Sequence, residues 1–369
     1  MLPPDCAFEH KVAEDLIACF ATYGFERVKP PLVEFEQNLL GGVGGGMANR
    51  TFRMMDPLSQ RMMAVRSDMT LQIARIASTR LAGVPRPLRL SYAGDVLRVV
   101  GSQLSPERQF TQVGVELIGS DAPAADAEAI LLAAEAVGRV GITGLSIDLM
   151  LPTLVRDLMD AHGVEAERRQ LLRQAIDRKD AEAVGAGGDA IAHVLGRLLT
   201  ASGPLQHGLS ALDDLSLPAS IRDLVKRLKE VIASLGREAP GLTLTLDAVE
   251  NRGFQYHTGV SFSLFVRGVR GELGRGGRYI AGERPGEPAT GFTLYMDTVI
   301  RALPEAKAGP KLYLPYGLSP SLAMSLRQAG WVAVAGLEPV ADAAAEARRL
   351  GCSHLATPEG TVVPSERAA

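Results

Sequence analysis

The sequence predicts an α+β fold: an antiparallel sheet flanked by helices, interrupted by a helical insertion and followed by a small C-terminal α/β domain. Two strand patterns, at 88–98 and 108–118, are separated only by a turn-rich stretch, GSQLSPE. Ala, Leu and Arg then dominate with helical periodicity from about 152 to 236, and strand patterns return afterwards. Strands on both sides of a helical segment suggest an antiparallel sheet in an α+β core.

Length and composition limit the class of protein. The 369 residues exceed what one compact core usually holds, which predicts one large domain and one small domain. Hydrophobic residues make up 46% of the chain and charged residues 22%, so it can bury an ordinary core and is neither disordered nor fibrous. The net charge of -3 supplies no overall field for a polyanion, so tRNA is not an expected partner.

Cysteine use and apolar runs predict a cytoplasmic protein without metal or cofactor. The three cysteines, Cys6, Cys19 and Cys352, show no metal-ligand or redox spacing, and their odd number suits reduced thiols. No run approaches the ~18 apolar residues of a membrane span. Residues 1–10 carry acidic side chains rather than a basic and then apolar signal, so no membrane association is expected.

The first predicted elements are an amphipathic helix and an interrupted strand. Residues 8–23 place apolar side chains at helical spacing, and Gly24 follows where a helix would end. The next segment, ERVKPPLVEF, is a strand pattern broken by two prolines, which belongs at a sheet edge or an interface. The run GGVGGG at 41–46 could cradle a phosphate, but no Gly-Lys-Ser/Thr follows it, so a mobile loop is the better interpretation.

The remaining elements follow in the same way. The two strand patterns at 88–98 and 108–118 should pair as an antiparallel hairpin, and a helix should follow at about 123–137. A linker near Gly309 and Pro310 places the domain boundary between 1–308 and 309–369, and the second segment has a βαβαβ pattern with a loose tail. Later strand patterns in the large domain are 242–247, 260–265, 271–279 and 291–296, the last leading into a helix.

The strand at 108–118 has one apolar and one polar face. Alternation places Gln112, Gly114 and Glu116 together on the polar face. A glycine inside a strand costs stability and often marks the close approach of another group, so this face could receive a ligand. The alternative is an ordinary solvated face.

Three more residues near this strand could bind a charged ligand. Arg98, at the end of the partner strand, could hold a carboxylate or phosphate through two hydrogen bonds, although it could also be an ordinary surface arginine. Asp68 and Thr70, in VRSDMTLQIAR, lie where a helix begins. They could cap that helix or bind an ammonium group.

Two glycine-rich segments, ENRGFQYHTG and GELGRGGRY, add polar and aromatic side chains. A lone histidine is more often structural than catalytic. The chain has no His/Cys cluster with zinc spacing and no nucleophile elbow, so we predict no catalytic residue and no metal ligand. The candidates in these segments are Arg252, Tyr256, His257, Arg275, Arg278 and Tyr279.

Taken together, LSYAGDVLR, RQFTQVGVELIG, NRGFQYHTG, GELGRGGRY and PATGFTLYM resemble the class II histidyl-tRNA synthetase core in order and spacing. The resemblance covers roughly residues 5–305, and such an ordered set is far more specific than one motif. Within that superfamily the chain most resembles the regulatory subunits of ATP phosphoribosyltransferase. The segment VRSDMTLQIAR, with Asp68 where synthetases usually have Glu, is typical of that branch.

The resemblance implies a histidine site that includes Arg252 and Tyr256. His257 stands where synthetases usually carry Tyr, and Arg252 matches an arginine that synthetases use in activation. An acid accepting from an ammonium or ring N–H, and an arginine donating to a carboxylate, form a chemically coherent set. The further implied contacts are Asp68 and Thr70 with the α-ammonium, Arg98 and Gln112 with the carboxylate, and Glu116, His257 and Tyr279 with the imidazole.

Two departures from the synthetase pattern predict that amino-acid adenylation fails. Val100 stands where synthetases place a Glu that contacts ATP, and a methyl-branched side chain cannot accept that hydrogen bond. In GFTLYMDTVIRAL the pattern expects Gly-Leu-Glu-Arg, and Thr298 replaces the Arg that braces the ATP phosphates. Losing this cation removes electrostatic stabilisation typically worth several kcal/mol in the transition state.

The resemblance therefore implies a non-catalytic regulatory subunit that assembles with the short catalytic ATP phosphoribosyltransferase and takes part in feedback inhibition by histidine. We expect a homodimer through the segment KPPLVEFEQ, within a larger hetero-oligomer. The C-terminal unit of about 60 residues is shorter than a synthetase anticodon-binding domain, which argues against aminoacylation. Two alternatives are a divergent histidyl-tRNA synthetase and a free-standing histidine sensor.

Overall fold

The computed structural model describes residues 1–40, 51–101, 107–250, 256–282, 285–305 and 309–366. The loop predicted at 41–46 lies outside these residues. The chain divides into two compact units, one of Ala7–Pro304 and one that combines Met1–Cys6 with Glu305–Ala369. Within the described ranges, no helix has the length and apolar character needed to cross a membrane. Those ranges also contain no group of three or more His, Cys, Asp or Glu side chains placed to hold a metal ion.

A mixed nine-stranded sheet forms the centre of the larger unit, as far as the structure describes it. The predicted hairpin is confirmed, since Leu88–Leu97 and Gln109–Ile118 pair antiparallel. The sheet is antiparallel as predicted except at two pairs, Glu26–Arg27 with Leu88–Leu97 and Leu145–Met150 with Thr243–Asp247, which are parallel. In spatial order the strands are β1 (Glu26–Arg27), β5 (Leu88–Leu97), β6 (Gln109–Ile118), β12 (Glu287–Tyr295), β11 (Gly274–Ala281), β10 (His257–Val266), β7 (Leu145–Met150), β9 (Thr243–Asp247) and β8 (Gly203–Pro204).

Helices precede, interrupt and follow this sheet. The opening helix, α1 (Asp5–Thr22), begins three residues before the predicted start and is followed by Gly24, whose φ of 79° suits a residue without a Cβ. The region predicted as a helical insertion contains six described helices, α5 to α10. The helices after α1 are α2 (Glu36–Leu40), α3 (Thr70–Ser78), α4 (Pro123–Arg139), α5 (Leu154–Ala161), α6 (Ala166–Asp177), α7 (Ala181–Gly185), α8 (Ala190–Thr200), α9 (Leu205–Asp213), α10 (Ala219–Glu238) and α11 (Met296–Arg301).

Apolar side chains cover the sheet on both faces. The larger cluster includes residues of α1, α4, α10 and the apolar face of β6, and Phe20 packs edge-on against Phe292 with ring centroids 5.5 Å apart. The second cluster joins α3 to β5, β6 and β11 and contains Met69, Tyr92 and Tyr279. The predicted polar face of β6 is therefore buried beneath α3 rather than solvated.

A smaller sheet carries several exposed methionines. It consists of β2 (Val33–Phe35), β4 (Met62–Val65) and β3 (Arg53–Met55), in that spatial order. Met55 and Met62 are exposed, as is Leu58 in the turn between β3 and β4. The prolines of ERVKPPLVEF separate β1 from β2, and each of these two strands lies at a sheet edge, as the sequence predicts.

The C-terminal unit has a four-stranded sheet. Its first strand pairs parallel with the second and the third, and a fourth strand pairs antiparallel with the third. This is the predicted βαβαβ order with one further strand. Its elements are β13 (Lys311–Leu314), α12 (Pro320–Gln328), β14 (Val332–Ala335), α13 (Ala343–Arg349), β15 (His354–Ala356) and β16 (Val362–Pro364).

Candidate functional site

A small cavity opens where β6, β12, β11 and β10 lie side by side beneath the start of α3. Strand register brings its walls together, since Gly291 is opposite both Glu116 and Gly277, and Tyr279 is opposite His257. The cavity measures about 10 Å³, which is about the space of one water molecule. Its described lining is Thr70, Glu116, Tyr256, His257, Arg275, Gly276, Gly277, Tyr279, Gly291, Phe292 and Thr293.

Glycines let the carboxyl and hydroxyl groups of this cavity approach the backbone. A Cβ on Gly291 would overlap the Glu116 carboxylate, so only glycine fits there. A Cβ on Gly114 would lie 2.6 Å from the hydroxyl of Tyr92. The close approach expected at Gly114 is made by both neighbouring strands, through the backbone oxygen of Phe292 and the hydroxyl of Tyr92.

Glu116 is the buried carboxyl group at the base of the cavity. Its side chain is 1% exposed and accepts hydrogen bonds from the hydroxyls of Tyr279, at 2.9 Å, and Tyr92, at 3.2 Å. Burial raises the pKa of Glu116 to about 8, although the tyrosine and Thr70 hydroxyls act in the opposite direction. Burial also raises the pKa of Tyr92 and Tyr279 well above the usual value, so both hydroxyls stay protonated and can donate.

Asp68 and Gln112 are hydrogen-bonded to each other and are not part of the described cavity lining. The Gln112 amide donates to Oδ2 of Asp68 at 2.9 Å and accepts from the backbone N–H of Met69 at 3.0 Å. The other Asp68 oxygen accepts from the backbone N–H of Thr70 at 2.9 Å. The N-cap position of α3 is Met69, so Asp68 lies one residue before it. Its carboxylate nevertheless accepts a hydrogen bond from the first N–H group of the helix.

Aromatic rings form the side of the cavity near His257. The Tyr256 ring lies 5.0 Å from the His257 ring and packs edge-on against Tyr279 at 5.6 Å. Burial and the nearby Arg275 charge lower the pKa of His257 to about 3. The imidazole is therefore neutral at physiological pH and has one donor and one acceptor nitrogen.

The arginines predicted for the site have different positions. The Arg98 guanidinium stacks on the Phe110 ring at 4.4 Å and on the Tyr295 ring at 5.6 Å, and Arg98 is not part of the described cavity lining. Arg278 points to the opposite face of the sheet, where its Nε donates to Asp126 at 2.9 Å. Arg252 lies outside the described residues.

Arg275, one of the sequence candidates, lines the cavity, and so does Thr293, which the sequence did not single out. Tyr92 contacts this lining, and Tyr295 lies on the same strand as Thr293. The hydroxyls of Tyr92 and Thr293 form a hydrogen bond of 2.7 Å, and Tyr92 also contacts Glu116. Strand alternation from Tyr279 would have placed Arg275 on the cavity face, because the two residues are four positions apart. Tyr295 occupies the glycine position of the Gly-Leu-Glu-Arg pattern, and this departure is the sequence signal for it.

Comparison with known proteins places the chain in a family. Residues 1–299 match the family model described as Histidyl-tRNA synthetase. The ATP phosphoribosyltransferase regulatory subunit of Paramagnetospirillum magneticum is 53% identical over 362 residues, which cover 98% of this chain and 95% of that relative.

Two solved structures share the fold. One, described as an ATP phosphoribosyltransferase regulatory subunit/histidyl-tRNA synthetase from Bacillus halodurans, has a TM-score of 0.82 at 24% identity and covers 94% of this chain and 93% of its own. A chain of the ATP phosphoribosyl transferase (HisG:HisZ) complex from Thermotoga maritima has a TM-score of 0.60 at 14% identity, covering 78% and 97%. The predicted class II synthetase-like fold is confirmed. The chain belongs to the ATP phosphoribosyltransferase regulatory subunits, a branch of the histidyl-tRNA synthetase family.

Proposed function

We propose that this chain is a non-catalytic subunit that activates a short catalytic ATP phosphoribosyltransferase and gives it sensitivity to histidine. The reaction served joins ATP and phosphoribosyl pyrophosphate to give phosphoribosyl-ATP and pyrophosphate. Identity of 53% to a regulatory subunit over almost the whole length of both chains is the observation that carries the proposal. The complex from Thermotoga maritima supports a partnership of this kind.

The side chains at the expected ATP contacts support a loss of adenylation. Val100 is 75% exposed, and its side chain has no polar atom to offer a nucleotide. Thr298 is buried, and its hydroxyl accepts from Nη2 of Arg301 at 3.0 Å. Tyr295 packs edge-on against Phe110 where the synthetase pattern has a glycine. The cation expected to brace the ATP phosphates and the carboxylate expected to contact ATP are therefore both replaced.

The divergent-synthetase alternative is tested by ATP–pyrophosphate exchange with histidine. We expect the purified chain to show no exchange above a protein-free blank, because the two polar ATP contacts are missing. A histidyl-tRNA synthetase assayed in parallel is the positive control. Robust exchange by this chain would overturn the proposal.

The cavity around Glu116 supports histidine as the ligand. Glu116 lines the cavity and can accept a hydrogen bond from an imidazole N–H. Asp68 accepts from the backbone N–H of Thr70, the first residue of α3. The neutral His257 ring can donate or accept. Because the cavity holds only about one water molecule, the side chains around it must move apart to admit an amino acid.

Replacing Glu116 by Ala should weaken histidine binding about 10- to 100-fold, because a ring donor of the ligand loses its buried acceptor. Calorimetric titration of L-histidine measures the change. Glu128→Ala is the matched control, since this carboxylate pairs with Arg89 in the same unit and is not part of the described cavity lining. Equal affinities for Glu116→Ala and the unmodified chain would place the histidine site elsewhere.

We also propose that the chain forms a homodimer through the small sheet that contains β2. The segment KPPLVEFEQ includes β2, and the same sheet exposes Met54, Met55 and Met62. Burial of these side chains against a second copy would remove apolar surface from water. Light scattering of the purified chain decides the point, because a mass near 39 kDa would contradict a dimer.

The free-standing sensor alternative is tested by co-purification with the short catalytic phosphoribosyltransferase. We expect the two chains to elute together as a complex larger than either alone. Two chains that neither associate nor change each other's activity would favour the sensor.

A further inference from the structure

The described lining of the cavity contains one carboxyl group and one guanidinium. Among its described lining residues, Glu116 is the carboxyl group and Arg275 is the side chain with a permanent positive charge. Arg275 lies on β11 opposite Thr293 of β12, which also lines the cavity. Its side chain is 23% exposed, and its Nη2 donates to Glu272, which lies two residues before β11. That ion pair restricts rotation of the guanidinium beside the cavity.

Neither of the two residues expected to bind a ligand carboxylate is part of the described cavity lining. Arg98 stacks on Phe110 and Tyr295, a cation–π arrangement that holds its charge against an aromatic cluster. The amide of Gln112 binds Asp68 with its nitrogen and Met69 with its oxygen. Carboxylate recognition by Gln112 would require breaking both hydrogen bonds. The stacked Arg98 keeps its N–H donors, but Arg98 is not part of the described cavity lining, whereas Arg275 is.

We propose that Arg275, rather than Arg98, binds the carboxylate of the amino acid that occupies this cavity. The inference rests on the proposed histidine binding and names the residue that selects an α-amino acid over its decarboxylated amine. A guanidinium and a carboxylate can form two parallel charge-assisted hydrogen bonds. With the carboxylate at Arg275, the imidazole would lie toward Glu116 and Tyr279, which also line the cavity.

Calorimetric titration with L-histidine and with histamine tests the assignment. Histamine has the imidazole and the ammonium but lacks the carboxylate, so the ratio of the two affinities reports carboxylate recognition alone. We expect the unmodified chain to prefer histidine by at least about tenfold. Arg275→Gln should abolish this preference by weakening histidine binding, and the affinity for histamine should stay within about twofold. The matched variant Arg98→Gln should keep the preference.

Arg275→Gln removes the ion-pair partner of Glu272 and could disturb the fold for that reason. A second variant controls for this effect. The double variant Glu272→Gln/Arg275→Gln removes both charges and should also lose the preference for histidine. The assignment would be overturned if either Arg275 variant kept the preference for histidine. It would also be overturned if Arg98→Gln or Arg252→Gln lost that preference. An unmodified chain that binds histidine and histamine equally would overturn it too, yet leave histidine binding intact. A chain that binds neither would refute the proposed histidine site itself.

Discussion

Replacing Glu116 by Gln should raise the free energy of unfolding of the ligand-free protein by on the order of 3 kcal/mol at pH 7. The pKa of Glu116 is raised to about 8 in the folded protein, so the folded state keeps a proton that the unfolded state has released near its ordinary carboxyl pKa. The stability owed to this group is complete below about pH 4.5 and is lost as the pH rises through about 8. Gln resembles the protonated carboxyl in shape and does not ionise.

Urea unfolding at pH 5, 6, 7 and 8, followed by far-UV circular dichroism, measures this effect. The difference between Glu116→Gln and the unmodified chain should be small at pH 5 and grow with pH. Glu287→Gln is a control of opposite sign, because the hydrogen bonds from Arg86 lower the pKa of Glu287 and removal of the charge should destabilise the fold. A Glu116→Gln difference that does not change with pH would mean that Glu116 ionises normally.

Replacing Asp126 by Ala should lower the free energy of unfolding by about 3–5 kcal/mol, because two arginines lose their shared buried partner. Asp126 on α4 accepts from Nε of Arg278 on β11 at 2.9 Å and from Nε of Arg227 on α10 at 3.0 Å. The Arg278 side chain is only 5% exposed, and without Asp126 its charge would keep only the largely exposed Asp121 carboxylate and two backbone carbonyls as partners. The same contact joins the helical insertion to the strand that carries Arg275 and Tyr279.

Urea unfolding at pH 7 checks the Asp126 prediction. Glu230→Gln is the matched control on α10, where the pair with Lys226 is exposed and 3.9 Å long, and its effect should stay within about 0.5 kcal/mol. Similar small losses in both variants would show that the buried arginines find other partners or water.

Long periodic patterns predicted much of the fold. Helix α1 and the β5–β6 hairpin follow directly from apolar spacing, and both are confirmed. The strands β3 and β4 were missed, because RMM and MMAV are short, rich in methionine and do not alternate. The parallel pairs β1–β5 and β7–β9 could not be derived, because alternation along a strand does not reveal its direction relative to a distant neighbour.

The candidate site was predicted in part. Alternation placed Gln112 and Glu116 on one face of β6, and the structure buries both there. It could not predict that the Gln112 amide turns to Asp68, because that contact depends on where α3 crosses the sheet. Arg98 stacks on Tyr295, a residue of β12 that is distant from Arg98 in the sequence. Strand patterns alone do not predict that contact, because it depends on which strands are neighbours in the sheet. The resemblance thus identified the strands of the site more reliably than the orientation of their side chains.

The most direct test of the regulatory role is the rate of phosphoribosyl-ATP formation by the short catalytic subunit with and without this chain. Increasing amounts of the chain should raise the rate to a plateau at a fixed stoichiometry, and L-histidine should then lower it. A coupling free energy of about 1–3 kcal/mol between the histidine site and the catalytic subunit would change the apparent affinity for histidine about 5- to 150-fold. A catalytic subunit whose rate is the same at every concentration of this chain, with and without histidine, would contradict the account.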